Sequence, residues 1–249
     1  MIIVHVQLDT QTLKARSRTC RSWCIATLPH LHYALTLHPK RGDRARGGLI
    51  ALQKLDKMRL LPFVKRLWIR NCSEVFGAQG LAYFSALTNV QELGLRGIDL
   101  RRFVPQAQLY LRHFMPRLRS LALSWPKGPY RLLLYLLGLF PNLDDLQLFD
   151  NLRWESALPD PVPVPHSAPS LRGRLMLMWF AGEDFLRDLS GLSGGLRFRY
   201  TDLLGVEGTR FLLGSAAETL ETLRIHHTRW TGRRSSRWSQ SSLLWRTNP

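Results

Sequence analysis

Short runs with an apolar residue at every second position punctuate the chain. The clearest are Met115-Pro-Arg-Leu-Arg-Ser-Leu-Ala-Leu123 and Phe140-Pro-Asn-Leu-Asp-Asp-Leu-Gln-Leu148, which lie 25 residues apart. Both read apolar-Pro-x-Leu-x-x-Leu-x-Leu. A period of two puts the last two leucines on one face of a short strand. Five more pairs align on that core: Leu67 and Ile69, Leu93 and Leu95, Leu175 and Leu177, Phe198 and Tyr200, Leu223 and Ile225. Successive first positions are separated by 26, 28, 25, 29, 23 and 25 residues. Between these strands the period changes to that of a helix. Phe103, Ala107, Tyr110 and Phe114 share one helical face over 103–114, and Phe185, Leu189 and Leu192 share another over 183–192. The stretch from Tyr130 to Phe140 is apolar nearly all round, which predicts a helix buried on several sides. Its 11 residues fall short of the roughly 20 that cross a bilayer. A single strand–helix unit cannot hide its own apolar face, so the units must stack over 61–228.

The unit resembles the leucine-rich repeat, Leu-x-x-Leu-x-Leu-x-x-Asn/Cys. Val64, Val90, Leu118, Leu143 and Leu220 supply the leading apolar position in five copies. The ninth position holds Cys72 in the first copy and Asn151 in the fourth. Elsewhere it holds Ile98, Pro126, Phe180, Leu203 and Thr228, so the Asn/Cys ladder is largely replaced. The resemblance implies an α/β fold: an irregular leucine-rich-repeat solenoid with parallel strands on the concave side and helices outside.

Residues 1–38 do not carry the repeat. Here Leu13-Lys-Ala-Arg-Ser-Arg-Thr-Cys-Arg-Ser-Trp23 resembles the second half of an F-box, and Leu31-His-Tyr-Ala-Leu-Thr-Leu37 resembles the strand leading such modules into their repeats. Together the two likenesses point to a fungal-type F-box/leucine-rich-repeat protein with a truncated F-box. Met1-Ile-Ile-Val-His-Val6 stands where the tail of the first F-box helix would be, without the usual Leu-Pro-x-Glu-type opening. By this resemblance Leu13, Cys20, Trp23 and Ile25 either face a ubiquitin-ligase adaptor or pack the F-box-like helices. It also implies that the repeats select a substrate for a cullin-type ubiquitin ligase, with the chemistry left to partner enzymes.

Composition adds a charge bias. Lysine and arginine number 35 against 18 acids, a net charge of +17, and only six of the basic residues are lysine. Such a balance fits an acidic partner, protein or nucleic acid, and it fits equally a solvated basic surface. The charge is spread widely along the chain, and it marks a basic linker over 39–60, which opens on the loop Pro39-Lys-Arg-Gly-Asp-Arg-Ala-Arg-Gly-Gly48, and a basic tail over 229–249. The tail carries five arginines, no acids, and Trp230, Trp238 and Trp245. Arginines among aromatics suit single-stranded nucleic acid, while serine-rich, charge-biased termini predict disorder. A proline-rich insertion over 158–169 predicts an extended loop. Three cysteines are too few for a disulfide framework, and no leader or membrane span is visible, so the expected compartment is cytoplasmic or nuclear.

Candidate chemistry is sparse. There is no Gly-x-x-x-x-Gly-Lys-Ser/Thr loop or His-Glu-x-x-His motif, and no catalytic residues are assigned. Cys20, Cys24, His30 and His32 lie close in sequence, but His-x-His is tighter than the usual zinc pair, and neither metal nor cofactor is expected. The repeat predicts a binding face instead. Strand residues flanking the leucines point away from them. The candidates so placed are Arg66, Trp68, Arg70, Arg96, Phe149, Met176, Met178, Arg197, Arg199 and Arg224. Arginine's planar fork suits carboxylates, so the expected ligand is an acidic protein segment, with the aromatic and methionine side chains as apolar anchors. The alternatives are nucleic-acid binding through the basic loop and tail, or a degenerate relative without activity.

Overall fold

In a computed structural model of the chain the described residues are 11, 14–15, 18, 21–38, 47–71, 73–149, 171–178, 183–191, 197–204, 209–228 and 240–246. The protein is α/β: short parallel strands alternate with helices. The chain divides into two compact units. One comprises Met1–Gly94 with Leu109–Arg117, the other Leu95–Gln108 with Leu118–Pro249.

The first unit holds helix α1 (Arg21–Leu31), strand β1 (Ala34–Leu37), helix α2 (Gly47–Lys57), strand β2 (Arg66–Arg70) and helix α3 (Ala78–Ala86). It also holds the first residues of strand β3 (Glu92–Arg96). β1 and β2 run parallel, with Leu35 beside Leu67 and Leu37 beside Ile69. Leu37, Leu67, Ile69 and Phe84 are buried. Each such side chain taken out of water contributes roughly 1.5–3 kcal/mol. Phe76, Phe84 and Tyr110 pack as an aromatic trio with ring centroids 5.7 Å apart, and the Tyr110 hydroxyl donates to the Phe76 carbonyl.

Two findings here differ from the sequence reading. Leu35 and Leu37 lie in the same register as the repeat leucines, so the strand placed in the F-box-like segment pairs as a repeat strand. Part of the segment read as a basic linker is the helix Gly47–Lys57, with Gly47, Gly48 and Leu52 buried. A basic run and a glycine pair suit a loop, but the leucines from 49 onward recur at helical spacing.

Helix α4 (Leu100–Leu111) begins in the second unit, where Asp99 caps it by accepting the Arg101 N–H at 3.0 Å. Phe103, Ala107, Tyr110 and Phe114 are all buried, as their spacing predicts. The second unit continues with β4 (Ser120–Ser124), α5 (Tyr130–Gly138), β5 (Asp145–Phe149), β6 (Arg174–Met178), α6 (Glu183–Gly191), β7 (Tyr200–Leu204), α7 (Thr209–Ala216), β8 (Thr222–Thr228) and β9 (Gln240–Arg246). Strands β4 to β8 pair in sequence, each parallel to the next. Leu133, Leu134, Leu136 and Leu137 of α5 are buried, covering more than one face of that helix.

One backbone device recurs at the strand starts. The carbonyl just before a strand accepts two N–H groups from the entry to the next strand. Tyr33 takes those of Lys65 and Arg66, both at 2.9 Å. Arg119 takes those of Asp144 and Asp145, both at 2.8 Å, and Arg199 those of Glu221 and Thr222, both at 2.9 Å. Between β5 and β6 the extra residue in Leu171-Arg-Gly-Arg-Leu175 disturbs it. Gly173 N–H still reaches the Asp144 carbonyl at 3.0 Å, but Arg174 N–H is held by the Asp145 side chain at 2.7 Å. A Cβ at Gly173 would collide with that carboxylate.

The sixth repeat is shifted from its sequence alignment. Thr201, not Phe198, pairs with Leu175 and Leu223, and Leu203 pairs with Leu177 and Ile225. Phe198 is 1% exposed and takes the leading apolar position that Val64 holds in the first copy. Side-chain chemistry hides the shift. Phe198 and Tyr200 look like the apolar pair, while Thr201 does not, yet Thr201 is β-branched, suits a strand, and is only 5% exposed. The tail differs too. Gln240–Arg246, expected to be disordered, is a strand antiparallel to β8, with Leu243 opposite Ile225 and Trp245 opposite Leu223. The proline-rich stretch 158–169, Cys72 and Asn151 lie outside the described residues.

Candidate interaction face

In the first unit the strand-borne candidates are already engaged. Arg66 donates from Nε and Nη2 to both carboxylate oxygens of Glu92, the latter at 3.0 Å, and the Tyr33 hydroxyl donates to the same carboxylate at 3.3 Å. Partial burial pushes the Tyr33 hydroxyl pKa up, and the Glu92 charge adds to this. The Arg66 charge is therefore largely met within the protein. Trp68 is half-buried, and its ring lies over Gly94, where any Cβ would overlap it. The Arg70 guanidinium sits 5.7 Å from the centroid of that ring.

In the second unit the register lays out three rows of strand positions that alternate with the leucines. One runs Ser120, Asp145, Arg174, Tyr200, Thr222. The next runs Ala122, Gln147, Met176, Asp202, Arg224, and the third begins Ser124, Phe149, Met178. Phe149 and Met178 are direct cross-strand neighbours and half-buried, as is Met176. Arg174, Tyr200, Thr201, Thr222 and Arg224 line an open cleft of 390 Å³. Arg174, at the strand position before Leu175, thus joins Arg224 at one site.

Arg197 and Arg199 do not belong to these rows. Both precede β7, a consequence of the three-residue shift, and Arg199 forms an ion pair with Glu221 at 3.5 Å. Tyr200, 48% exposed, takes the outward position instead. Asp145 is on the face but serves as an acceptor for the Arg174 backbone.

One residue went unnoticed in the sequence. Trp125 directly follows β4 and is 45% exposed. The Arg96 guanidinium lies 4.0 Å from its ring centroid. Its backbone has φ 52, in the left-handed region. The residue following β2 is Asn71, with φ 50, and the one following β3 is Gly97, with φ 67. Gly97 N–H donates to the Ser124 carbonyl at 2.8 Å, and Trp125 N–H to the Phe149 carbonyl at 3.3 Å. Counting two residues past the second leucine of each repeat would have found this position. Nothing in the sequence says that its backbone is left-handed.

A second hollow, of 560 Å³, lies in the first unit against Leu49, Ile50, Gln53, Gln79 and Tyr83. Of the F-box-like residues, Leu13 and Cys20 lie outside the described residues. Trp23 and Ile25 fall on α1, but their side chains are outside the description. Among the described residues no helix is long and apolar enough to cross a membrane. No family model, curated protein or solved structure matches this chain.

Proposed function

We propose that the chain is a protein-recognition module, not an enzyme, and that it binds an acidic protein segment on the outward strand rows of the second unit. The supporting observation is the register itself, which gathers Arg174 and Arg224 around one cleft and sets Phe149 beside Met178. Guanidinium groups pair with carboxylates through two parallel hydrogen bonds, and the apolar pair offers an anchor that excludes water. The repeating strand–helix unit with its leucine rows is read as an irregular leucine-rich-repeat solenoid. The segment around Leu13, Cys20, Trp23 and Ile25 is read as an F-box-like element docking to the adaptor of a cullin-type ubiquitin ligase. In that role the protein works in the cytoplasm or nucleus and needs no cofactor.

A short labelled peptide of glutamate and leucine residues, titrated against the full chain, tests the recognition reading. Binding that drops about tenfold in an Arg174→Gln, Arg224→Gln double variant, or a loss of about 1.4 kcal/mol, supports it. Unchanged binding moves recognition off this face. Titration against the purified ligase adaptor tests the F-box-like segment separately. The net charge of +17 favours one other reading, nucleic-acid binding. A steep, sequence-independent fall in oligonucleotide affinity as salt rises would mark it.

A further inference from the structure

We infer that the corner formed by Trp125, Arg96, Phe149 and Met178 is the anchor point for that acidic segment. The inference rests on the recognition reading above and names where the segment is held. It starts from a cost. Left-handed backbone is unfavourable for any residue bearing a Cβ, and a bulky residue there is an outlier. After β2 and β3 the chain uses Asn71 and Gly97, the two residue types that tolerate this conformation best. After β4 it uses tryptophan, with φ 52. Arg59, with φ 55, shares this geometry, but only at Trp125 does it hold a large aromatic at a strand end; the turn alone gives no reason for that side chain, and strain retained there points to a role outside folding.

The surroundings say what the role is. Trp125 keeps 45% of its surface exposed. The Arg96 guanidinium is stacked over its ring, and among the described residues the buried Arg96 Nε has no hydrogen-bond partner. Stacking fixes the guanidinium plane and presents a pre-oriented cation beside an apolar surface. Trp125 N–H binds the Phe149 carbonyl, and Phe149 pairs with Met178, so the backbone sets Trp125 next to the strand ends that carry these two apolar residues. Exposed Lys127, two residues on, adds a second positive charge. A cation held on an aromatic platform, next to an apolar line and a further cation, complements a segment that alternates carboxylates with apolar side chains.

The test uses the full chain and the labelled glutamate–leucine peptide, with a labelled oligothymidylate as competitor class. Trp125→Asn removes the platform while keeping a residue that accepts the left-handed turn, as Asn71 does. Arg96→Gln removes the cation. Each variant is expected to weaken peptide binding at least tenfold with its far-ultraviolet circular dichroism unchanged. Peptide binding by the wild type that neither variant weakens would overturn the anchor while leaving the recognition reading intact. No peptide binding by the wild type would overturn both. Oligothymidylate bound more tightly than the peptide, and lost in the same two variants, would overturn the acidic-segment occupant.

Discussion

Replacing Trp125 by alanine and by glycine separates what its side chain contributes from what its backbone costs. Both variants lose the same exposed indole and the same stacked guanidinium, so those losses cancel when the two are compared. What remains is the backbone at φ 52. Left-handed geometry costs an alanine about 1–2 kcal/mol. Glycine avoids that cost but frees the unfolded chain, which takes back about 0.4–1 kcal/mol. The glycine variant is therefore expected to be more stable than the alanine variant by about 0.5–1 kcal/mol. At an ordinary right-handed or extended position the order would be reversed. For a chain of this size that difference corresponds to a melting temperature higher by about 1–4 °C, readable by circular dichroism on matched samples. Gly97→Ala supplies the internal control. With φ 67 it should lose a comparable amount for the same reason. If the alanine variant at 125 equals or exceeds the glycine variant, the turn is not left-handed in solution. The strain from which the anchor was inferred then disappears with it.

Truncating Leu146 to alanine removes a side chain with no exposed surface from a strand paired on both sides within a five-strand parallel run. The expected loss is about 2–5 kcal/mol, read from the urea midpoint at constant slope, and a loss below about 1 kcal/mol would mean that the β5 register is not the one described here. A pH effect should come from His32, whose pKa is lowered from its ordinary value of 6.5 because burial disfavours the charged ring. The unfolded chain then holds more protons than the folded one just below that value, so this contribution is complete above pH 6.5 and is lost as pH falls through the folded pKa. His32→Gln should flatten the acid-side fall in melting temperature relative to wild type, and parallel curves for the two proteins would refute the assignment.

The period of the apolar residues was enough to place strands at Leu121 and Leu123, at Leu146 and Leu148, and at Leu175 and Leu177. It also placed the helix face of Phe103, Ala107, Tyr110 and Phe114. These patterns are local, because a side chain's direction along a strand or helix follows from its position in the chain. The candidate face was legible to the same extent: Phe149, Met176, Met178 and Arg224 stand on the outward rows where alternation puts them. Register was not legible. Thr201 substitutes for a leucine, and only the backbone hydrogen bonds to β6 and β8 reveal the three-residue shift that removes Arg197 and Arg199 from the face. Partnership was not legible either, since Arg66 meets Glu92 across 26 residues of sequence, and Asp145 is held by a backbone group 29 residues away. The strand at Gln240–Arg246, and the pairing of the Ala34–Leu37 strand with β2, emerge only once each has a neighbour to complete its hydrogen bonds. The sequence by itself determined which residues are apolar, at what period, and hence that strands and helices alternate. Which strand lies beside which, in what register, and which charges are already paired were decided by the tertiary structure, because pairing depends on contacts between residues far apart in the chain, and periodicity carries no record of them.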